Sequence, residues 1–457
     1  MATSEVKKLS LFAITWPIFI ETFLHMSLRI ADTFMLSFIS DEAVAAVGVS
    51  NQIVMFMFFL FQFGATGAGV VIAQYLGANK YNDVRKFAWN AITFNFLFGL
   101  IISIIMILFS KTFLGFFNLE PALFHQARSF LLIVGGALFL QAMMLTISAI
   151  IQAHGFTRDT MFVTVGINII NIIGNYLLIF GALGFPQLGV VGVAVATVAS
   201  QFLGLIINFM ILFKRVDVRL HIKDMIDWNK ERLYQILSIG VPSAIGNLSY
   251  SLSQIVTTGF IVSLGQEMLT TRIYTLNILF FAIVISISLG RGTQIIIGHL
   301  VGAGEFEQAY KTALKNLRMS MLLCLGVAII LILAREPLFS LFTDNPLIIS
   351  TGGMLLLMGI ILEPGRCFNI VLGQAIQATG DARYLMMVTI IIIWCFSVPL
   401  YYLLGIQLGY GLIGIWLAFV VDEWLRGLVL FGRWKSRVWE KKVLVKKEKQ
   451  KKNEALG

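Results

Sequence analysis

Charge is scarce in this chain. Only 13% of its 457 residues are Asp, Glu, Lys or Arg, while 58% are hydrophobic, far from the balance of a soluble globular domain. Cysteine is nearly absent: Cys324, Cys367 and Cys395 stand alone inside apolar runs. They lack metal-ligand spacing, so neither a disulfide framework nor thiol redox chemistry is supported. The five histidines, His25, His125, His154, His221 and His299, are scattered. There is no HExxH, no nucleophile elbow and no phosphate-binding loop, which argues against a membrane-embedded enzyme and against direct ATP drive. No cofactor is expected, and no selectivity-filter-like loop speaks for a channel.

What the chain has in quantity is long apolar runs. A helix needs roughly 20 predominantly apolar residues to cross the hydrocarbon core. Such runs fall at 11–37, 45–74, 88–109, 125–152, 161–183, 189–213, 235–262, 270–301, 315–334, 350–378, 385–405 and 411–432. The expected fold is therefore an all-α integral membrane protein with twelve transmembrane helices and short connections. The start has the Lys7-Lys8-then-apolar layout of a signal peptide, but it runs into Glu21 without a small-residue cleavage site, so it reads as a retained first span.

The net charge of +10 raises nucleic acid as a partner, but its distribution does not support one. Lys and Arg gather at Lys7-Lys8, at Lys80, Arg85 and Lys86, at Arg158, in the linker KRVDVRLHIKDMIDWNKER, at Lys311, Lys315 and Arg318, at Arg383 and in the tail KKVLVKKEKQKK. These are alternate loops plus both termini, and the positive-inside rule then puts both termini in the cytoplasm. The basic tail either lies along anionic lipid headgroups or is simply solvated.

The chain is also written twice. GANKYNDVRK at Gly77 is matched by GAGEFEQAYK at Gly302, and at the same offset Pro17 meets Pro242, Gly67 meets Gly292, Pro121 meets Pro346 and Gln152 meets Gln377. Two pseudo-symmetric six-helix lobes follow: residues 1–213, a basic cytoplasmic linker at 214–233, residues 234–432, and a basic cytoplasmic tail at 433–457. Halves with an even number of spans share one orientation, the arrangement of many secondary transporters.

A charge at the bilayer centre costs about 2.5–3.5 kcal/mol on insertion scales, so each one inside these runs needs a reason. In LRIADTFML, Arg29 and Asp32 are neighbours on one helical face. Two readings stand: a structural ion pair, or a carboxylate in a partly desolvated cavity that exchanges H⁺ or Na⁺. The matching position in the second half is Thr257, which makes the N-terminal lobe the better candidate for coupling. Asn168, Asn171 and Asn175 line one face of the fifth span, as interhelical glue or as ligands. The C-terminal lobe carries Glu363, Arg366 and Asn369 along one face, a second cluster of Asp422, Glu423 and Arg426, and Arg291. These read as a charge network inside the lobe, with substrate contact or a second proton site as the alternative.

Pro17, Asp32-Thr33, the AVAAVG segment at 43–48, the LGANK loop and IQAHGFTRDT at 151–160, taken in order across twelve spans, resemble the multidrug and toxic compound extrusion (MATE) antiporters over nearly the whole chain. The resemblance implies export of cationic amphipathic compounds in exchange for H⁺ or Na⁺ by alternating access. The protein would act as a monomer in the bacterial cytoplasmic membrane, with small organic cations and membrane lipids as partners and no nucleic acid. It places the family's first-helix aspartate on Asp32 and its polar fifth-helix positions on Asn171 and Asn175. A DinF-like protein has aspartate where this chain has Asn175, and the NorM-like acidic positions fall on Tyr250 and Arg366. Those departures, with EPGRCFN, point to a bacterial branch distinct from both, and an arginine in place of a carboxylate weakens a C-lobe Na⁺ site. The expectation is H⁺ through Asp32, with Na⁺ near Asp32 as the alternative ion. The rival function is a lipid-linked oligosaccharide or lipid flippase of the wider superfamily, kept open by Arg29, Arg291 and Arg366.

Overall fold

A computed structural model describes residues 10–216 and 229–445, apart from the side chains of Arg29 and Ile30. Lys7-Lys8, most of the basic linker and the tail beyond 445 lie outside the described residues. Among those described, all regular structure is helical. The first half comprises α1 (Leu11–Ser37), α2 (Asp41–Gly77), α3 (Tyr81–Gly115), α4 (Pro121–Gly136), α5 (Leu138–Ala153), α6 (Thr157–Phe180) and α7 (Val190–Lys214). The second comprises α8 (Lys230–Ser263), α9 (Gln266–Gly302), α10 (Phe306–Leu333), the short α11 (Arg335–Ser340), α12 (Pro346–Ala378), α13 (Ala382–Ile392), α14 (Val398–Tyr402) and α15 (Gly411–Lys435).

The twelve spans are built in three ways. Nine described helical segments are apolar and long enough to cross a membrane by themselves. One of these, Ala382–Gln407, contains α13 and α14 separated and followed by wide π turns at Ile393–Ser397 and Leu403–Gln407. The fourth span is the pair α4 and α5, bent by 44° at the break between them. The remaining two, α8 and α15, are as long but more polar. Ser249, Ser253, Gln254, Thr257 and Thr258 lie in α8, and Asp422, Glu423 and Arg426 in α15. Helix starts follow local chemistry: Pro121 and Pro346 occupy the first turns of α4 and α12, where a missing N–H costs nothing. Asn345 caps α12, its Oδ1 accepting the Leu347 N–H at 3.0 Å.

Two compact units emerge. One consists of Trp16–Ile72 and Lys80–Val241; the other of Met1–Thr15, Ala73–Asn79 and Pro242–Gly457. In the first, α3 packs on α4 and α5 around Phe61, Met106, Leu131 and Leu138, while α7 packs on α4, α5 and α6. In the second, α12 is central and packs on α9, α10 and α15. Its apolar wall includes Cys324, Cys367, Val371 and Leu430.

The repeat is visible in the packing. The first turns of α1, before Pro17, belong to the second unit, and the first turns of α8, before Pro242, belong to the first. Gly292 leaves room for Thr15 and Leu11 of α1, and its counterpart Gly67 leaves room for the carbonyl of Ile236 in α8. The ends of α2 and α9 cross with the same reciprocity. A side chain on Gly77 would strike the carbonyl of His299, and one on Gly302 would strike the carbonyl of Gln74. Backbone meets backbone there, so only glycine fits. Gly302→Val should therefore lower the thermal unfolding midpoint of the detergent-solubilised protein by several degrees. Gly326→Ala, in a helix interior with nothing within 4 Å of the new methyl group, should leave it unchanged or raise it; a scan of both variants beside the parent decides.

Candidate functional site

The polar groups of the first unit form a directed chain. Helix α6 sets Asn168, Asn171 and Asn175 on one stripe. Asn168 is spent on its own helix, donating to the Thr164 carbonyl at 2.7 Å. The other two reach across. Asn171 Nδ2 donates to Thr197 Oγ1 of α7 at 3.3 Å, Asn175 Nδ2 donates to Asn171 Oδ1 at 3.0 Å, and the same amide donates to Asp32 Oδ1 of α1 at 2.6 Å. Thr197 in turn donates to the Val193 carbonyl. Asn171 and Asn175 are fully buried and Asp32 is half-buried; Asn175 donates both to the carboxylate and to Asn171, from which the bonds run on through Thr197 to the Val193 carbonyl. The 2.6 Å bond has the length of a charge-assisted one. The side chain of Arg29 lies outside the described residues, and so does the proposed Arg29–Asp32 pair.

Sequence reasoning passed over a second acid on the same helix. Glu21 stands eleven residues before Asp32, three helical turns, and therefore on the same stripe. Its Oε2 accepts from Gln152 Nε2 of α5 at 3.0 Å and from Thr160 Oγ1 of α6 at 2.9 Å. The usable signal is a second carboxylate inside the first apolar run, where Glu21 enters the sequence reading only as an argument for a retained span.

In the second unit, six of the seven sequence candidates meet. Arg366 Nη1 bonds Glu363 Oε1 at 2.6 Å, and its Nε lies 3.8 Å from Glu423 Oε1. Asn369 Nδ2 donates to Glu423 Oε2 at 2.8 Å. Arg426 grips Asp422 through both Nη2 and Nε, the latter at 3.1 Å, and approaches Glu423 Oε2 at 3.4 Å. Ser397, in the first wide turn, donates to Asp422 Oδ1 at 2.5 Å, and the Arg426 guanidinium lies 5.6 Å from the centre of the Tyr250 ring. Such turns widen a helix by one residue and are frequent at functional positions. Arg291 is half-buried in α9, and no bond described here joins it to this network. Three carboxylates and two guanidiniums stand close together, each at most 12% exposed, so the cations offset two of the three negative charges in the interior. Among the described residues no group of three His, Cys, Asp or Glu side chains is placed to hold a metal ion.

The family model MatE matches residues 17–177 and again 242–403, two copies whose starts lie 225 residues apart. The chain belongs to the MATE family. It is 43% identical over 436 residues to the uncharacterized transporter YisQ of Bacillus subtilis, covering 95% of this chain and 96% of that one. It is 28% identical over 449 residues to a probable multidrug resistance protein NorM of Thermotoga maritima, covering 98% and 96%. The fold matches the crystal structure of a MATE proline-to-alanine mutant with a TM-score of 0.87 at 20% identity, over 96% of this chain and 98% of that one. This MATE protein is thus a multi-span membrane transporter, and YisQ agrees with a branch apart from NorM.

The C-terminal network generates a stability prediction. Arg426→Gln removes the guanidinium that both Asp422 and Glu423 face, and stranding buried charge in this way costs about 3–5 kcal/mol. Thermal unfolding should shift sharply downward. Arg437→Gln, which breaks the solvent-exposed pairs with Glu307 and Glu440 and the contact with the Tyr310 ring, should shift the midpoint far less.

Proposed function

We propose that this MATE transporter exports organic cations in exchange for protons, and that Asp32 is the carboxylate for which the two compete. The observation that carries the reading is the bond from Asn175 to Asp32 at the end of the Asn171–Thr197 chain. An ionised Asp32 is the stronger acceptor, and holds the chain in the observed order. Protonation weakens that acceptor and releases Asn175, so a charge change at one oxygen repacks α1 against α6 and α7. A bound organic cation and a proton cannot both satisfy one carboxylate. Loading of one therefore expels the other, which is the thermodynamic content of antiport. The amide presents N–H hydrogens to the carboxylate, an arrangement that suits a carboxyl group better than a Na⁺ ion, which needs oxygens.

On this reading residues 1–213 and 234–432 act as the lobes of an alternating-access monomer in the bacterial cytoplasmic membrane. The linker and tail face the cytoplasm, where the basic tail meets anionic lipid. Several relatives are named multidrug resistance proteins, which favours drug export over lipid or oligosaccharide flipping. The test is uptake of an ethidium-class cation into proteoliposomes under an imposed pH or Na⁺ gradient. The pH gradient should drive accumulation and the Na⁺ gradient should not. Asp32→Asn should bind the dye yet fail to concentrate it. Normal transport by that variant, or drive by Na⁺ alone, overturns the reading.

A further inference from the structure

Most of the buried arginines in the second unit end on acids. Arg366 reaches Glu363 and Glu423, Arg426 reaches Asp422 and Glu423, and Arg433 binds Asp381 Oδ2 at 2.7 Å. Arg272 of α9 is different. It is only 7% exposed, and among the described residues no carboxylate pairs with it. Its guanidinium donates to two neutral acceptors of α8, Thr258 Oγ1 and Gln254 Oε1, the latter at 2.9 Å. The ionisable side chains that influence it are the phenols of Tyr250 and Tyr401, neither of which supplies an anion at neutral pH.

A buried cation without a counter-charge is expensive, and buried donors left without acceptors add to the cost. Two such donors sit together here. Arg272 Nε has no partner, and Gln254, whose oxygen is committed to the guanidinium, leaves its Nε2 without one. Both are N–H groups, both are shielded from solvent, and both belong to one linked pair. What would satisfy them is an acceptor carrying negative charge, and a guanidinium edge flanked by an amide is the donor set that a carboxylate fits.

The duplication sharpens the point. Gln254 stands where the first half has Arg29, Thr257 where it has Asp32, and Thr258 where it has Thr33. At the equivalent stretch of helix, the acidic site of the first half is replaced by neutral side chains that serve a cation from the neighbouring helix.

We infer that Arg272 and Gln254 form an anion subsite that takes the carboxylate of an amphipathic zwitterionic substrate. The inference refines the export reading by naming a substrate class, but it concerns binding and is tested without any gradient. The probes are a xanthene dye with a free carboxylate and its methyl ester, a cation of nearly the same shape. Their binding to the intact purified protein in detergent is read by fluorescence anisotropy.

The free acid should bind the parent protein more tightly than the ester, and Arg272→Gln should weaken the acid by about tenfold, the loss of one charge-assisted bond, while sparing the ester. Unchanged ester binding doubles as the check that the variant is folded. Arg272→Lys keeps the charge without the fork and should fall between the two. Gln254→Leu, with the arginine in place, should weaken the acid alone. Equal binding of acid and ester, or an equal loss of both in Arg272→Gln, overturns the inference. A resident inorganic anion would instead leave acid and ester alike and make the binding of both depend on chloride, which also overturns it. Failure of the export reading would show separately, as an ester that binds but is not accumulated under a pH gradient.

Discussion

In hydrocarbon an ionised side chain cannot turn to water, so it must find its counterpart within the protein. That constraint orders most of what is polar in this molecule. In the second unit it draws Glu363, Arg366, Asp422, Glu423 and Arg426 into one cluster along two facing helices, with Asn369 and Ser397 taking up remaining valences. In the first unit the means are milder. The half-buried carboxylate of Asp32 accepts from the Asn175 amide, which is itself tied to Asn171 and through it to Thr197. The contrast separates a cluster of paired charges from a carboxylate whose described partner is a neutral amide.

The same economy governs backbone approach. Where α2 and α9 cross, side chains are dispensed with, and Gly77 and Gly302 let carbonyls come close. At the other helix ends, Leu11 and Thr15 of α1 fill the space left at Gly292, and Ile236 of α8 fills that at Gly67. The duplicated sequence thus repeats contacts as well as helices. The places where the halves diverge, Asp32 against Thr257 and Arg29 against Gln254, become the places where chemistry differs.

Span number, the duplication and the two charge clusters of the C-terminal half were legible in the sequence because hydrophobic period and cost of charge act locally. Asn171 and Asn175 were legible for the same reason, as amides on one helical stripe. The division of the chain into units was less so. The sequence repeat suggests a cut in the linker, whereas the compact units trade the first turns of α1 and α8, a long-range choice that no local pattern carries. Glu21 escaped notice because its partners, Gln152 and Thr160, lie two spans and more away. Arg272 escaped because it sits six residues inside α9, where a basic residue reads as a membrane-edge anchor. Only the packing reveals that it is buried against α8. The wide turn that aims Ser397 at Asp422 has no signature in composition at all.

The traded first turns bear on how such a chain can be divided. Each unit is closed by a short piece of helix contributed by the other half, in the manner of a domain-swapped dimer. Two polypeptides cut within the linker would each retain a terminus suited to its neighbour and unsuited to itself, so neither would be a self-sufficient protein.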